Sequence, residues 1–514
     1  MKNIFCGLFA TLSILSYSQV SDSVFVPEHP YFEGLEAQLW KNPVQQNKTL
    51  LKDYTAVTLD FSSHNLQVKR TQTAENTNDI GFQTKGYYHF SKNLKLFGSF
   101  DYDFIQEKNL GFTLYSGRSD EDFVMNPNYL FVPKASNWEI QKYRIKGGAT
   151  YDFSNFTVGA LVDYLNQSSF RKTDPRPEIK TADYTGKLFA GFTFGKHQLS
   201  AFAGYGRKTD NNDVMAVNEL VNTPSNPENF IRFSNGYGRI VNFPSYFEFL
   251  YSTVLRNIGG GYRFQNDKLH FNLNYAYSKT MENIYTRSAY NQVYIDQDLE
   301  YMKYREIFHE VFGSLIYHSE NAKILSDFGA KILTGDNYNI VEQGQNFRKT
   351  WDYYFANFTY LKQGISGKYY GLKLKSEVND FRAQDLLGVS DKKVQTLDLG
   401  LQFQSELYKN NNQNLNAAIG VNHYFPLQAD LAFTHVSSSS TFYDRVILPD
   451  HYYDSTSKTG VSAEISFSDR FMKNTSWKIF SKFGAVFAHQ SDEVPNQYYR
   501  NPNVYFQTGI TFFY

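Results

Sequence analysis

The sequence predicts an all-β protein, namely a transmembrane antiparallel up-and-down β-barrel of about 18 strands within a range of about 14–20. Three observations predict it. The chain ends in an alternating ribbon that stops on an aromatic residue, similar ribbons recur along its length, and short and long connections alternate between them. An aromatic content of 18% beside a mean hydropathy of −0.48 also fits, because a polar lumen dilutes the apolar outer face and the aromatic rims of a barrel.

Residues 1–18 have the pattern of a secretory signal peptide. Lys2 precedes an apolar run from Ile4 to Leu15, and small residues follow before Gln19. The run is too short to cross a bilayer as a helix. Because Cys6 is the only cysteine, we expect the mature chain to contain no thiol, disulfide or cysteine metal site.

Residues 19–54 do not have a barrel pattern. Phe32 to Trp40 has the spacing of a short helix, and Asn42-Pro43 is expected to end it. We expect a periplasmic or lumen-inserted segment, with a disordered leader as the alternative. Residues 55–514 are predicted to form the barrel.

The ribbon Leu94 to Phe104 illustrates the expected strand orientation. Successive side chains of a strand point to opposite faces, so Phe100 and Tyr102 share one face while Asp101 and Asp103 share the other. We expect the aromatic face to meet lipid and the acidic face to meet the lumen. Two stretches, 305–318 and 349–362, are apolar on both faces, and their strand boundaries are poorly determined. Their apolar residues include Ile307, Phe308, Val311, Phe312, Trp351, Tyr353, Tyr354 and Phe355.

The connections predict the orientation of the barrel. Short turns and long loops alternate, as in outer-membrane barrels, where the turns are periplasmic and the loops extracellular. The longest predicted loop, 208–256, contains Phe230, Phe233 and Phe243, which we expect to fold into the lumen or to cap its mouth. The long connections are predicted at 105–141, 166–182, 208–256, 281–304, 335–348, 381–392, 427–457 and 490–501.

Charged residues within the ribbons are candidates for a lumen lining. A lysine or arginine facing lipid at the bilayer midplane costs about 2–4 kcal/mol, so such residues are expected to point inward. Their mixed signs predict no simple ion selectivity. The alternative is that they pair structurally across the lumen. The lumen and gating candidates are Arg144, Lys146, Asp101, Asp103, Lys373, Lys375, Phe230, Phe233 and Phe243.

The sequence contains no recognisable enzyme site. A GxSxG elbow, an HExxH helix and a P-loop are all missing. Asp210 to Asp213 resembles a calcium loop only in composition, and we expect a solvated loop there. We therefore expect no catalytic residue, cofactor or metal, and a net charge of zero argues against a nucleic-acid partner.

The final ribbon resembles the C-terminal sorting signal of outer-membrane barrels, with Phe512 and Tyr514 on its apolar face. This resemblance implies location in the cell outer membrane, with the bilayer and the barrel-assembly machinery as partners. The chain as a whole resembles an uncharacterised family of Bacteroidota outer-membrane β-barrels. The carrying features, besides the two termini, are the Trp40-Lys41-Asn42-Pro43 leader, the approach from Asn137-Trp138 to Tyr143, and the Asp174-Pro175-Arg176-Pro177 turn. The Asn42-Pro43 step is also similar to the Asn-Pro-Ala hatch of fatty-acid-transporter barrels, although Val44 replaces the alanine.

The resemblance implies a location but no cargo, so two functions remain open. The first is a channel or transporter for a small or medium solute, which a barrel wide enough to hold an aqueous lumen permits. The second is a surface-exposed receptor or scaffold that partners a lipoprotein and transports nothing. A membrane-embedded enzyme is not expected, because no acid–base or nucleophilic cluster is assignable.

Overall fold

The computed structural model confirms the predicted fold class: eighteen strands form a closed antiparallel β-barrel. It describes residues 30–45, 53–115, 126–215, 225–242, 247–290, 293–294, 299–319, 321–340, 342–364, 368–410, 412–434, 442–472, 475–490, 494–495 and 501–514. The predicted signal peptide lies outside these residues. None of the described helices is long and apolar enough to span a membrane.

The barrel strands are β1 (Tyr54–Asn65), β2 (Asn76–His89), β3 (Leu94–Leu110), β5 (Ser136–Phe153), β6 (Phe156–Arg171), β7 (Arg176–Phe194), β8 (His197–Met215), β11 (Phe247–Gln265), β12 (Leu269–Tyr290), β14 (Leu299–His318), β15 (Ala322–Asn339), β16 (Phe347–Gln363), β17 (Tyr369–Asp385), β18 (Ser390–Lys409), β19 (Gln413–Phe433), β20 (Lys458–Met472), β21 (Thr475–Ala488) and β22 (Asn503–Phe513). Three short strands form a separate sheet: β4 (Asn128–Phe131), β9 (Arg232–Asn235) and β10 (Ile240–Asn242). The two-residue β13 (Val293–Tyr294) pairs with β12. The helices are α1 (Pro30–Lys41) and α2 (Leu448–Ser455), with a 3-10 turn at Pro43–Gln45 and a π-helical turn at Tyr443–Ile447.

The two ends of the chain close the barrel. β1 pairs with β2 on one side and with β22 on the other, and Val57 lies opposite Phe512. The Tyr514 backbone N–H donates to the Thr55 carbonyl at 2.9 Å. The aromatic terminus therefore completes the hydrogen-bond ladder that removes the last open sheet edge. Its role as a sorting signal stays a prediction.

Six of the eight long connections begin later and end sooner than predicted, whereas the connection predicted over 490–501 is longer, because β21 ends at Ala488 and β22 begins at Asn503. β8 continues to Met215 and β11 starts at Phe247, so the loop predicted over 208–256 occupies 216–246. Similarly, the connection predicted over 166–182 is only 172–175. The strands are this long because their ladders continue beyond the apolar alternation, which marks only the lipid-facing part. A tilted strand needs about 9–11 residues to cross a bilayer, whereas β12 has 22.

The expectation of a solvated loop at Asp210 to Asp213 is also wrong. These residues lie in β8, and Asp210 and Asn212 are fully buried. Polar residues in alternation have no apolar signature, so the sequence pattern did not reveal this strand extension. Asp210 accepts a hydrogen bond from the Thr181 hydroxyl and forms an ion pair with Lys208 at 2.7 Å. We call the end of the barrel with the long connections the loop end. The barrel wall at this end therefore contains buried polar contacts.

An apolar cluster fills the loop end of the barrel, and we call the loop segments that form it the cap. These segments are 110–115, 126–135, 225–242 and 442–457. They pack against inward side chains of the barrel wall. Phe233 is 0% exposed and stacks on Phe249 of β11 at 5.2 Å between ring centroids. Tyr115 meets Tyr251 two residues further along the same strand at 5.0 Å. The core of the protein therefore lies inside the mouth of the barrel.

The outer face of the wall is apolar and exposed. Ile145, Leu188 and Ile419 are 50%, 71% and 63% exposed, as lipid-facing residues are when no lipid is present. Phe100 lies opposite Ile145 and therefore shares this outer face. Asp101 lies opposite Arg144 and is on the inner face, where its carboxylate accepts a hydrogen bond from Gln83.

This arrangement yields a test of strand orientation. Phe100→Arg places a cation toward lipid and is expected to cost about 2–4 kcal/mol of barrel stability. Asp101→Asn keeps a polar side chain in a wet lumen and is expected to cost about 1 kcal/mol or less. Heat-modifiable migration on SDS gels measures the folded fraction in vesicles at rising urea concentrations. Equal loss of folded protein for the two variants would contradict the assignment of faces.

Candidate solute pathway

The N-terminal segment lies inside the barrel at the end with the short turns, which we call the turn end. Residues 30–45 form the plug, which consists of α1 and the 3-10 turn. Glu36 pairs with Lys85 of β2 at 2.7 Å, and Lys41 pairs with Glu310 of β14 at 3.1 Å. The Trp40 ring meets Phe97 of β3 edge-on at 5.3 Å. The plug thus contacts strands that lie far apart around the wall.

The step after α1 is held by amide groups. Asn42 donates to the Ser200 hydroxyl at 3.0 Å and to the Asn274 side-chain oxygen at 2.8 Å. Gln45 donates to the same hydroxyl at 3.2 Å. Gly261 permits this approach, because a Cβ there would lie 2.3 Å from the Asn274 oxygen and 2.4 Å from the Gln45 amide nitrogen. The predicted Asn42-Pro43 helix end is therefore a docking contact with the wall.

One face of β11 shows how plug and cap share the lumen. Phe249 and Gly261 lie on the same side of this strand, since they are an even number of residues apart. Phe249 meets the cap, and Gly261 meets the plug. The lumen is therefore obstructed near both ends by the described residues, and a stretch of wall lies between the two obstructions.

A buried carboxylate fastens the cap to the wall. Asp385, at the end of β17, accepts hydrogen bonds from the backbone N–H groups of Tyr237 and Arg239 at 2.8 and 3.1 Å. It also accepts from the side chain of Asn346 at 3.1 Å and is 1% exposed. Gly236 has a φ of +129°, and a Cβ there would lie 2.3 Å from the carboxylate. Only glycine lets the cap backbone approach so closely.

A second buried carboxylate, Asp454 of α2, joins three elements. It pairs with Arg70 from the β1–β2 loop at 2.5 Å and with Lys392 of β18 at 2.6 Å, and it is 0% exposed. Burial by itself raises the pKa of this carboxyl, but the charges of Arg70 and Lys392 outweigh it and hold the pKa below its ordinary range. A depressed folded-state pKa contributes stability that is present above the unfolded-state value and is lost as the pH falls through the folded-state value. This contact therefore holds at neutral pH and weakens only in acid.

The acidic and basic residues predicted to line the lumen lie on inner faces, and three of the six, namely Arg144, Asp103 and Lys375, form ion pairs. Arg144 makes two hydrogen bonds to Asp163 at 2.9 and 2.5 Å. Asp103 pairs with Lys142 at 3.6 Å. The structure thus favours the structural-pairing alternative for these charges, while their role in gating stays a prediction.

The remaining basic candidates differ in their surroundings. The Lys146 ammonium lies 5.7 Å from the Trp40 ring centroid, so it contacts the plug. Lys375 pairs with Glu377 at 2.8 Å. Lys373 lies opposite Thr359 of β16 and is half-buried. Among the described residues, no group of three or more His, Cys, Asp or Glu side chains is arranged to hold a metal ion.

The aromatic candidates of the longest loop belong to the cap. Phe233 is in its core, and Phe230 is 7% exposed with the Arg232 guanidinium 5.8 Å from its ring centroid. Phe243 lies outside the described residues. Phe230 and Phe233 are thus packing residues of the cap, and their role in gating stays a prediction.

Sequence reasoning missed an aromatic ladder on the inner face of β16. Trp351, Tyr353 and Phe355 stack in sequence, with ring centroids 5.6 and 5.7 Å apart. Phe308 and Phe312 of β14 approach the two ends of this ladder at 6.3 and 6.2 Å. The sequence did contain an indication of this ladder. Stretches 305–318 and 349–362 are apolar on both faces, whereas the lumen-facing side of a barrel strand is ordinarily polar.

The Asp385 contact generates a prediction about the cap. Asp385→Ala leaves buried backbone N–H groups without their acceptor and is expected to cost about 3 kcal/mol of cap docking. Trypsin should then cleave after Arg232 or Arg239 on the order of a hundredfold faster in the folded barrel, which gel electrophoresis measures. The matched control is Asp391→Ala, which at the same end removes the exposed pair with Arg382 and a hydrogen bond from Gln384, neither of which involves the cap. Equal cleavage rates in the two variants would show that Asp385 does not hold the cap.

Comparison with known proteins identifies the family but no activity. No curated protein matches the chain. Among solved structures, the ferric-catecholate import receptor Fiu from E. coli K12 is similar at 8% identity and a TM-score of 0.39, covering 91% of this chain and 82% of that one. The alcaligin outer-membrane receptor FauA from Bordetella pertussis gives 9% identity, a TM-score of 0.40 and coverages of 91% and 77%. The copper transporter OprC has 9% identity to this chain and a TM-score of 0.37, and the match covers 90% of this chain and 81% of that one. Because these TM-scores lie below 0.5, no function is carried over from them.

The sequence profile of one family matches residues 43–514, which include the whole barrel and the end of the plug. The expected resemblance to an uncharacterised family is confirmed to that extent, while the Bacteroidota origin and the likeness to fatty-acid transporters stay predictions. The chain belongs to the family of unknown function DUF6850.

Proposed function

We propose that the protein is a transporter of the cell outer membrane, in which the plug and the cap are two barriers in series across one lumen. The observation that carries this proposal is the pair of obstructions inside a barrel of eighteen strands. A barrel of about 16–18 strands encloses an aqueous channel unless something fills it. Passage of a solute then requires that both barriers move.

The contacts of the plug suit a movable element. Its ion pairs are partly exposed: the Lys41 and Glu310 side chains are 36% and 31% exposed. Exposed pairs contribute only about 0–1 kcal/mol each. The cap is held more firmly, by the buried carboxylates Asp385 and Asp454. We therefore expect the plug to open more readily than the cap.

Conductance of single proteins in planar bilayers tests this arrangement. Four forms are compared: the parent chain, a form lacking residues 30–45, a form in which 225–242 is replaced by a Gly-Ser linker, and a form with both changes. Either barrier alone is sufficient to block the current, because the two lie in series. We therefore expect only the form with both changes to conduct, with a conductance about tenfold or more above that of either form with a single change. The control carries the same linker in the turn at Ser154 and Asn155, which belongs to neither the plug nor the cap.

Heat-modifiable migration must first show that each form is a folded barrel. If deletion of 30–45 prevents folding, Lys41→Glu replaces it, because this change sets two acidic side chains against each other at the Glu310 contact. A folded, doubly trimmed barrel that conducts no more than the parent would contradict the transporter proposal.

That outcome would favour the second candidate function, a surface receptor or scaffold that partners a lipoprotein. The dense packing of the cap favours this alternative: Leu114, Phe233 and Asp454 are each 0% exposed. A rigid outer surface of this kind suits recognition of a protein partner without passage of a solute.

A further inference from the structure

The aromatic ladder lies on the wall of the lumen between the two barriers. Its upper ring, Trp351, is 4% exposed and belongs to an apolar cluster that also contacts Tyr237 of the cap. The next rings, Tyr353 and Phe355, are half-buried. At the lower end, the ammonium group of Lys41 in the plug lies over the Phe312 ring, 3.6 Å from the ring centroid. The ladder therefore runs along the path from cap to plug.

The spacing of the ladder follows from the strand. Residues two apart on one face are separated by about 6.6–6.8 Å along the backbone, which lets neighbouring rings tilt into contact. Gly329 of β15 lies between Phe312 and Phe355 in register, and a Cβ there would lie 2.6 Å from the Phe355 ring. The glycine lets the two rings approach across the intervening strand and widens the aromatic surface.

Charged groups flank the rings in balanced pairs. Glu310, Lys331 and Tyr353 lie in one row across three strands, and the Lys331 ammonium is 5.5 Å from the Tyr353 ring centroid. Phe355 lies opposite Glu377 of β17, which pairs with Lys375 at 2.8 Å. The surroundings thus offer hydrogen-bond donors and acceptors without an excess of either charge, which disfavours an ionic ligand.

From these observations we infer that the ladder is a binding track for a neutral oligosaccharide. A sugar ring presents an apolar C–H face that packs on an aromatic ring, and hydroxyl groups at its edge that bond to charged side chains. Half-buried rings in a wet lumen gain about 25 cal/mol for each Å² that such a face covers. A purely lipophilic solute would leave the flanking charges desolvated, which is costly.

This inference rests on the proposed function, because it places the ligand on the route between cap and plug, but its test measures binding alone. Maltohexaose, cellohexaose and mannohexaose are titrated by isothermal calorimetry against the detergent-solubilised parent and against the form with 225–242 replaced, once shown to be folded. At least one hexaose is expected to bind, and hexagalacturonate about tenfold more weakly, since the site has no excess positive charge.

Variants on β16 locate the site. Tyr353→Ala and Phe355→Ala should each weaken binding about tenfold, in keeping with the loss of one stacked ring, while Tyr353→Phe should retain it. The matched control is Tyr354→Ala, since this neighbour points outward and is 45% exposed. It should bind as the parent does.

The outcomes separate the two proposals. Binding by none of the hexaoses to either form, or equal affinity of Tyr353→Ala and Tyr354→Ala, would overturn the oligosaccharide track while leaving the conductance test of the transporter unaffected. Binding that depends on Tyr353, in a barrel that never conducts, would support the track and contradict transport.

Discussion

Closure of the barrel by β1 and β22 is the constraint on which the rest of the structure depends. A bilayer offers no water to satisfy backbone N–H and C=O groups, so every strand must pair on both sides. The register of Val57 opposite Phe512 completes the last pairing. Once the sheet is closed, inward and outward faces are set for each strand in turn, because side chains alternate along a strand.

Closure with eighteen strands creates a wide interior that must be filled or left wet. The chain fills the loop end with an apolar cap and the turn end with the plug, using different chemistry for each. In the cap, Phe233 is buried together with Tyr251 of the wall, and Asp385 accepts a hydrogen bond from the cap backbone at Tyr237. The plug relies on amides such as Asn42 and on partly exposed ion pairs. The two ends therefore differ in how firmly they are held, which is why we expect the plug to open more readily than the cap.

Local periodicity carried much of the information about the wall. Alternation at Phe100 and Asp101 suffices to assign their faces, because it depends only on neighbours along the chain. It failed at Asp210 and Asn212, where the strand continues above the lipid and both faces are polar. It was ambiguous at Tyr353 and Tyr354, where both faces are apolar. At Asp210 and Asn212 the outer face is polar as well as the lumen face, whereas at Tyr353 it is the lumen face that departs from the usual polar rule for barrels.

The sequence by itself determined the barrel class, the approximate strand number and the alternation of turns and loops, since each depends on spacing between residues near in the chain. Only the tertiary structure decided that Lys41 meets Glu310, 269 residues away, and that Asp385 receives the backbone of Tyr237, 148 residues away. It also decided that Trp351, Tyr353 and Phe355 face a lumen with Phe308 and Phe312 beside them. The physical reason is that such contacts form across a closed wall, and their partners are chosen by strand register and by the space the barrel encloses, neither of which leaves a periodic signature.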